Sequence, residues 1–135
     1  MSEKTERVKI RLNRLIILSL KEFKKLKFGD TELPIPDSYV VAEAYKTILP
    51  KLDKICWDKI NKVTIPNVTD NKELSSKPLP TTLTLEIDVL KGLREIQKGM
   101  VEKTKGRIFF SYVIKVVLYS AILDKLGELE KYTID

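Results

Sequence analysis

Three cations alternate with three aliphatic side chains near the N-terminus: Arg7, Lys9 and Arg11 around Val8, Ile10 and Leu12. A second segment repeats the alternation, with Thr82, Thr84 and Glu86 around Leu83, Leu85 and Ile87. A period of two marks a strand with one buried and one exposed face. Side chains on the exposed face then follow one another at about 7 Å. Such a row suits a polyanion. Arg and Lys donate to phosphate oxygens or to guanine O6 and N7, Thr meets bases through its hydroxyl or methyl, and Glu accepts from cytosine N4. The expected base-contacting set is Arg7, Lys9, Arg11, Thr82, Thr84 and Glu86.

Other chemistry is excluded by composition. The 135 residues contain no histidine and a single cysteine, Cys56. Ser-His and Cys-His pairs cannot exist, nor can zinc sites built from His and Cys. One cysteine forms no internal disulfide, which fits a reducing, cytoplasmic setting. No Gly-rich phosphate loop occurs, and carboxylate pairs such as Asp53 and Asp58 read as solvated helix charge. No catalytic residue, metal or cofactor is expected.

The longest apolar stretch, Ile108 to Leu123, contains Lys115. It falls short of the roughly 20 residues that span a bilayer, so no membrane partner is expected. With 43% hydrophobic and 33% charged residues, the chain reads as one compact domain over residues 1–135. The net charge is +6. Residues 1–28 hold nine bases against Glu3, Glu6 and Glu22, and so carry all of that excess. A basic end points to a polyanionic partner.

The elements that must carry these rows recur along the chain. Ser38-Tyr39-Val40 recurs as Ser111-Tyr112-Val113 at an offset of 73, and Ile35 recurs as Ile108 at the same offset. Leu20, Glu22 and Lys25 match Leu93, Glu95 and Lys98, again at that offset. Val8–Asn13 matches Leu83–Asp88 at 75, which implies two residues lost after the second strand. Each copy reads strand, helix, loop, helix. Asn13 and Asp88 are the expected N-caps of the first helices, and Gly29 is an expected stop. Ile16, Leu20 and Phe23 in one copy, and Leu90, Leu93, Ile96 and Met100 in the other, form their inner faces, with Lys21, Glu22, Lys24 and Lys25 outside. The second helices are more apolar: Val40, Val41, Ala44, Tyr45, Ile48, Leu49 and Leu52 against Val113, Ile114, Val117, Leu118, Ala121, Ile122 and Leu126. Tyr39 and Tyr112 are expected in the core or at its boundary. Leu52 to Val63 reads as a connecting helix carrying Cys56 and Trp57, restarted by Pro50. Residues 64–80, with Pro66, Pro78 and Pro80, read as a linker.

A lone strand needs a partner. Two copies supply two strands able to pair antiparallel, and a two-stranded ribbon fits the major groove of B-DNA. This pattern resembles the ribbon-helix-helix family of Arc and MetJ. In that family an apolar-polar alternation ending in Asp or Asn leads into one helix, and a second helix opens Ile-Ser-x-Ser-x-Val-Ile-x-x-Ala. Here the second-helix blocks are Ile35-Pro36-Asp37-Ser38-Tyr39-Val40-Val41-Ala42-Glu43-Ala44 and Ile108-Phe109-Phe110-Ser111-Tyr112-Val113-Ile114-Lys115-Val116-Val117.

The resemblance implies a mostly α fold with a two-stranded antiparallel ribbon. It also implies a tandem pseudo-dimer, with motifs at 7–52 and 82–126 joined by a connecting helix and linker at 53–81. In size and lysine/isoleucine-rich character the chain is similar to the tandem transcription regulators of archaeal filamentous viruses. The implied activity is sequence-specific binding of double-stranded DNA as a transcription regulator such as a repressor, with self-association along the DNA. The family's phosphate-clamping serine is replaced by Pro36 and Phe109. The implied phosphate contacts therefore shift to Ser38 and Ser111, with Lys105 and Arg107 beside the second copy. The alternative reading is a four-helix bundle acting as a virion component or polymerase inhibitor, in which Val8–Leu12 and Leu83–Ile87 extend helices or form loops.

Overall fold

The computed structural model of the chain describes residues 4–29, 34–65, 68–69 and 79–134. Expectations resting on Pro66 and Pro78 lie outside them. The fold is mostly helical, with one two-stranded antiparallel sheet. Strand β1 (Thr5–Leu12) leads into helix α1 (Arg14–Phe28) and then α2 (Asp37–Ile48). A 3₁₀ turn at Leu49–Lys54 and the short helix α3 (Trp57–Asn61) connect to strand β2 (Leu79–Glu86). Helices α4 (Ile87–Thr104) and α5 (Phe110–Lys125) and a 3₁₀ turn at Leu129–Tyr132 complete the chain. Val8–Leu12 and Leu83–Glu86 are thus strand, not helix extensions.

Among the described residues β1 pairs with β2 alone, in the register Arg7–Thr84, Val8–Leu83, Lys9–Thr82, Ile10–Thr81 and Arg11–Pro80. Val8, Ile10, Leu12, Leu83 and Leu85 are buried beneath the sheet, and the residues between them face out. α5 is the central element, packed against α1, α2, α3, α4 and β1. Eleven of its residues are buried, which explains a helix apolar almost all round. Buried Ser19 and Ser120 are satisfied by donating to Leu15 O and Val116 O at 2.7 and 2.8 Å.

The helix ends follow local chemistry. The Asn13 side chain accepts from Ile16 N at 2.9 Å and caps α1. Gly29 closes α1 with φ +84°, a conformation that suits a residue without Cβ. Asp88 is not a cap. β2 runs to Glu86 and α4 begins at Ile87, so Asp88 lies in the first turn of the helix.

The reason is the offset. Arg14 and Ile87 open α1 and α4, Asp37 and Phe110 open α2 and α5, and each pair shares the offset of 73. Leu12 and Leu85, the last buried strand residues, share it too. The elements therefore correspond at one offset, and neither copy has lost residues after its strand. At that offset Lys9 equals Thr82, which it faces across the sheet. Lys51 equals Asp124, which it meets at 2.7 Å.

Other expectations change with packing. Glu22 is buried with the inner face of α1. Tyr39 and Leu49 are about half exposed, and Leu126 is exposed as well. The connecting helix is broken at Ile55–Cys56, because that segment is held by the C-terminus. Cys56 N donates to Tyr132 O at 3.0 Å and Ile134 N donates to Lys54 O at 2.6 Å.

Burial also sets a pH dependence. It pushes the Tyr119 phenol up to about 12, and raises Tyr45 and Tyr112 too. A phenol whose folded pKa exceeds its unfolded value of 10.0 stabilises the fold below that pH. The contribution is lost as pH climbs through the folded value. Lys115, 4.9 Å from the Tyr112 ring and 5.8 Å from that of Tyr119, is lowered by burial. Its charged form therefore weighs on the fold at neutral pH, and that burden lifts as the unfolded chain deprotonates near 10.5. Above about 10.5 the Lys115 contribution has run its course, and the phenols set the slope. Stability is expected to fall between about pH 10 and 12, and Tyr119→Phe to flatten the fall. Urea unfolding across that range checks it, and an unchanged pH slope in Tyr119→Phe contradicts it.

Candidate nucleic-acid interface

The outer face of the ribbon is built by the register. Arg7 lies opposite Thr84, Lys9 opposite Thr82 and Arg11 opposite Pro80, and all six are exposed. Three cations thus form one row and two threonines and a proline the other, about 5 Å away. The expected residues Arg7, Lys9, Arg11, Thr82 and Thr84 are brought together. Glu86 is not among the central pairs. It stands at the end of the ribbon opposite Thr5, and its carboxylate meets Lys46 Nζ of α2 at 3.2 Å. The alternation alone put Glu86 in the row, but the correspondence between the copies makes it the equivalent of the capping residue Asn13. Pro80 takes the sixth place.

A proline in a strand needs a reason. Thr84 N points off the sheet and donates to Ser38 Oγ at 2.9 Å. Every second residue of β2 shares that direction, so the N–H that Pro80 lacks lies on the outer edge. No ladder bond is lost.

The first turns of α2 and α5 flank the ribbon. α2 lies along β2, where the Ser38–Thr84 bond closes the gap. Its first turn carries Asp37, which offsets the positive end of the helix dipole. α5 lies along β1 and differs. An open groove of about 610 Å³ separates them, lined by Lys9, Arg11, Pro80, Phe109, Phe110 and Ser111. The first turn of α5 carries no acid. The expected phosphate contacts therefore divide. Ser111 lines the groove, whereas Ser38 is held against β2 by accepting from Thr84 N, with its O–H still able to donate.

Arg107 and Lys105 belong to the α4–α5 connection. The Arg107 guanidinium lies over the Phe109 ring, 5.0 Å from its centroid. Lys105 is the exposed C-cap of α4, at φ +59°. Neither lines the groove. Phe109 is 61% exposed at its rim, which is unusual for an aromatic side chain and extends the cationic surface with an apolar edge.

Several contributors leave no mark in the sequence. Arg94 of α4 stacks over Phe110 at 4.3 Å, and Gln97 Nε2 donates to Ile108 O at 2.8 Å. Together they hold the start of α5 beside β1. Both contacts reach from one helix to the next and have no periodic trace. Pro80 was hidden because a Pro-x-Pro run reads as linker. Lys46 likewise has no local signal, because its partner Glu86 lies 40 residues away on β2.

Among the described residues no three His, Cys, Asp or Glu side chains come together as a metal-binding group, and no helix is long and apolar enough to cross a membrane. The surface offers hydrogen-bond donors, positive charge and a ribbon of the width that a major groove admits. No family model, curated protein or solved structure matches this chain.

Proposed function

We propose that this protein is a sequence-specific double-stranded DNA-binding regulator of transcription, of the ribbon-helix-helix kind, with both halves of the usual dimer on one chain. The observation that carries the reading is the outer face of the ribbon. Arg7, Lys9 and Arg11 stand beside Thr84, Thr82 and Pro80, with no carboxylate among the six. The phosphate backbone attracts such a face, and the side chains then reach base edges.

The tandem pseudo-dimer is supported by two meetings of equivalent residues. In an approximately two-fold arrangement a position touches its own counterpart only on the axis. Lys9 faces Thr82 in the ribbon, and Lys51, in the turn after α2, meets Asp124 near the C-terminal end of α5. The two points define one line through the ribbon and between α2 and α5. The helices starting beside each strand come from the other copy, α5 beside β1 and α2 beside β2, as a two-fold exchange requires.

The test is a titration of the full chain into labelled random-sequence and genomic duplexes at about 50 to 200 mM salt. Binding is expected to weaken at least tenfold over that range, with some genomic fragments retained well above the random background. Absence of duplex binding, or binding indifferent to salt, overturns the proposal.

A further inference from the structure

We infer that the ribbon reads an asymmetric site, with guanines on one DNA strand only, and that one chain fills one non-palindromic site. The inference rests on the DNA-binding reading and adds the class of sequence recognised. Arg and Lys side chains have donors and no acceptors, so on a base edge they seek acceptors. Guanine offers two, O6 and N7, side by side. All three cations of the face lie on β1, at every second position. From Arg7 to Arg11 the strand covers about 13 Å, the length of about four base pairs. The opposite row has no cation. Thr82 and Thr84 bring hydroxyl and methyl groups, and Pro80 brings an apolar ring suited to a thymine methyl.

The exchange that relates the two copies shows why a palindrome is excluded. At the offset of 73, Arg7 becomes Pro80, Lys9 becomes Thr82 and Arg11 becomes Thr84. Every cation has a neutral counterpart. On an inverted repeat, the guanines of one half would meet cations and those of the other half Thr or Pro. The second set would gain nothing. The flanks are biased the same way: β1 borders the open groove of α5, free of first-turn acid, while β2 is closed against α2 and its Asp37.

Selection from a random duplex library with the full chain tests this. The expected consensus spans about four to five base pairs, carries guanines on one strand and lacks dyad symmetry. In Lys9→Ala, preference at the central guanine is expected to fall about tenfold, while the outer positions keep theirs. An inverted-repeat consensus, or guanine enrichment equal on both strands, overturns the inference and leaves DNA binding standing. A library with no enriched sequence overturns both. A Lys9→Ala loss spread evenly over all positions shows that Lys9 contacts phosphate, and overturns the assignment of guanine reading to this row.

Discussion

Replacing Arg7, Lys9 and Arg11 together by alanine is expected to lower affinity for a selected duplex at least about a hundredfold. Three base contacts at about 1–3 kcal/mol each give that lower bound without any phosphate term. The three side chains are exposed and point away from the core, so the fold should lose little; surface substitutions usually stay within about 0.5 kcal/mol. Lys125→Ala is the control for a cation remote from the ribbon. It removes one charge at the far end of α5, about 22 Å along the helix from the groove. Lys46→Ala is a poorer control, because Lys46 holds Glu86 at the ribbon's end. Competition binding on both variants checks the expectation, and losses within threefold of each other count against the ribbon as the reading surface.

The second large effect concerns how the two copies fit. Gly92 lies in the interior of α4, where glycine costs about 1 kcal/mol relative to alanine. A Cβ there would overlap the Tyr45 ring and its hydroxyl from α2. Glycine is kept because the tyrosine fills its place. At the equivalent positions the sizes are reversed in part: Leu118 stands for Tyr45, and buried Ser19 stands for Gly92. Gly92→Ser is therefore expected to cost about 1–3 kcal/mol through overpacking, and Tyr45→Leu a similar amount through lost contact. The double variant recreates the other copy's pair. It should be more stable than the sum of the single losses by about 1 kcal/mol or more. Urea unfolding of the four proteins measures this coupling. Losses that add to within about 0.5 kcal/mol would show that the two positions do not share one packing solution.

Much of this was legible in the chain itself. The alternation of Val8, Ile10 and Leu12 with Arg7, Lys9 and Arg11 is a local signal, and period two points to a strand over so short a segment. Ile16, Leu20 and Phe23, and the apolar stripe of α5, follow from helical spacing in the same way. What periodicity could not supply was phase. The aliphatic Leu83 matches Val8 in type, whereas the offset of 73 that the element starts share pairs Val8 with a threonine, Thr81. Similarity of side chains thus favoured the wrong register. The error carried β2 one residue too far, to Ile87, and made Glu86 a member of the row instead of the last residue before α4; a shift of two leaves every side chain on its own face. Pairing with β1 decides between the two, and pairing is a property of both strands together. The exposure of Tyr39 and Leu49 and the burial of Glu22 belong to the same class. A helix spacing gives a face, while its width depends on which neighbours cover it.

The candidate site was legible to a similar depth. Residue types on β1 pointed to a polyanion, because three exposed cations at strand spacing make one continuous row of positive charge. The groove beside α5 was not legible. It depends on Arg94 and Gln97 fixing the start of α5, and on Phe109 being left at the surface.

Amide chemical-shift mapping of the isotopically labelled full chain during titration with a selected duplex is the most direct measurement. The largest changes should fall on residues 7–11 and 81–84, with a second group at 109–111 beside the groove. Residues of α3 and the last turn of α5 should stay in place. Changes centred on α3 and the C-terminal turn, with the ribbon unmoved, would contradict the account.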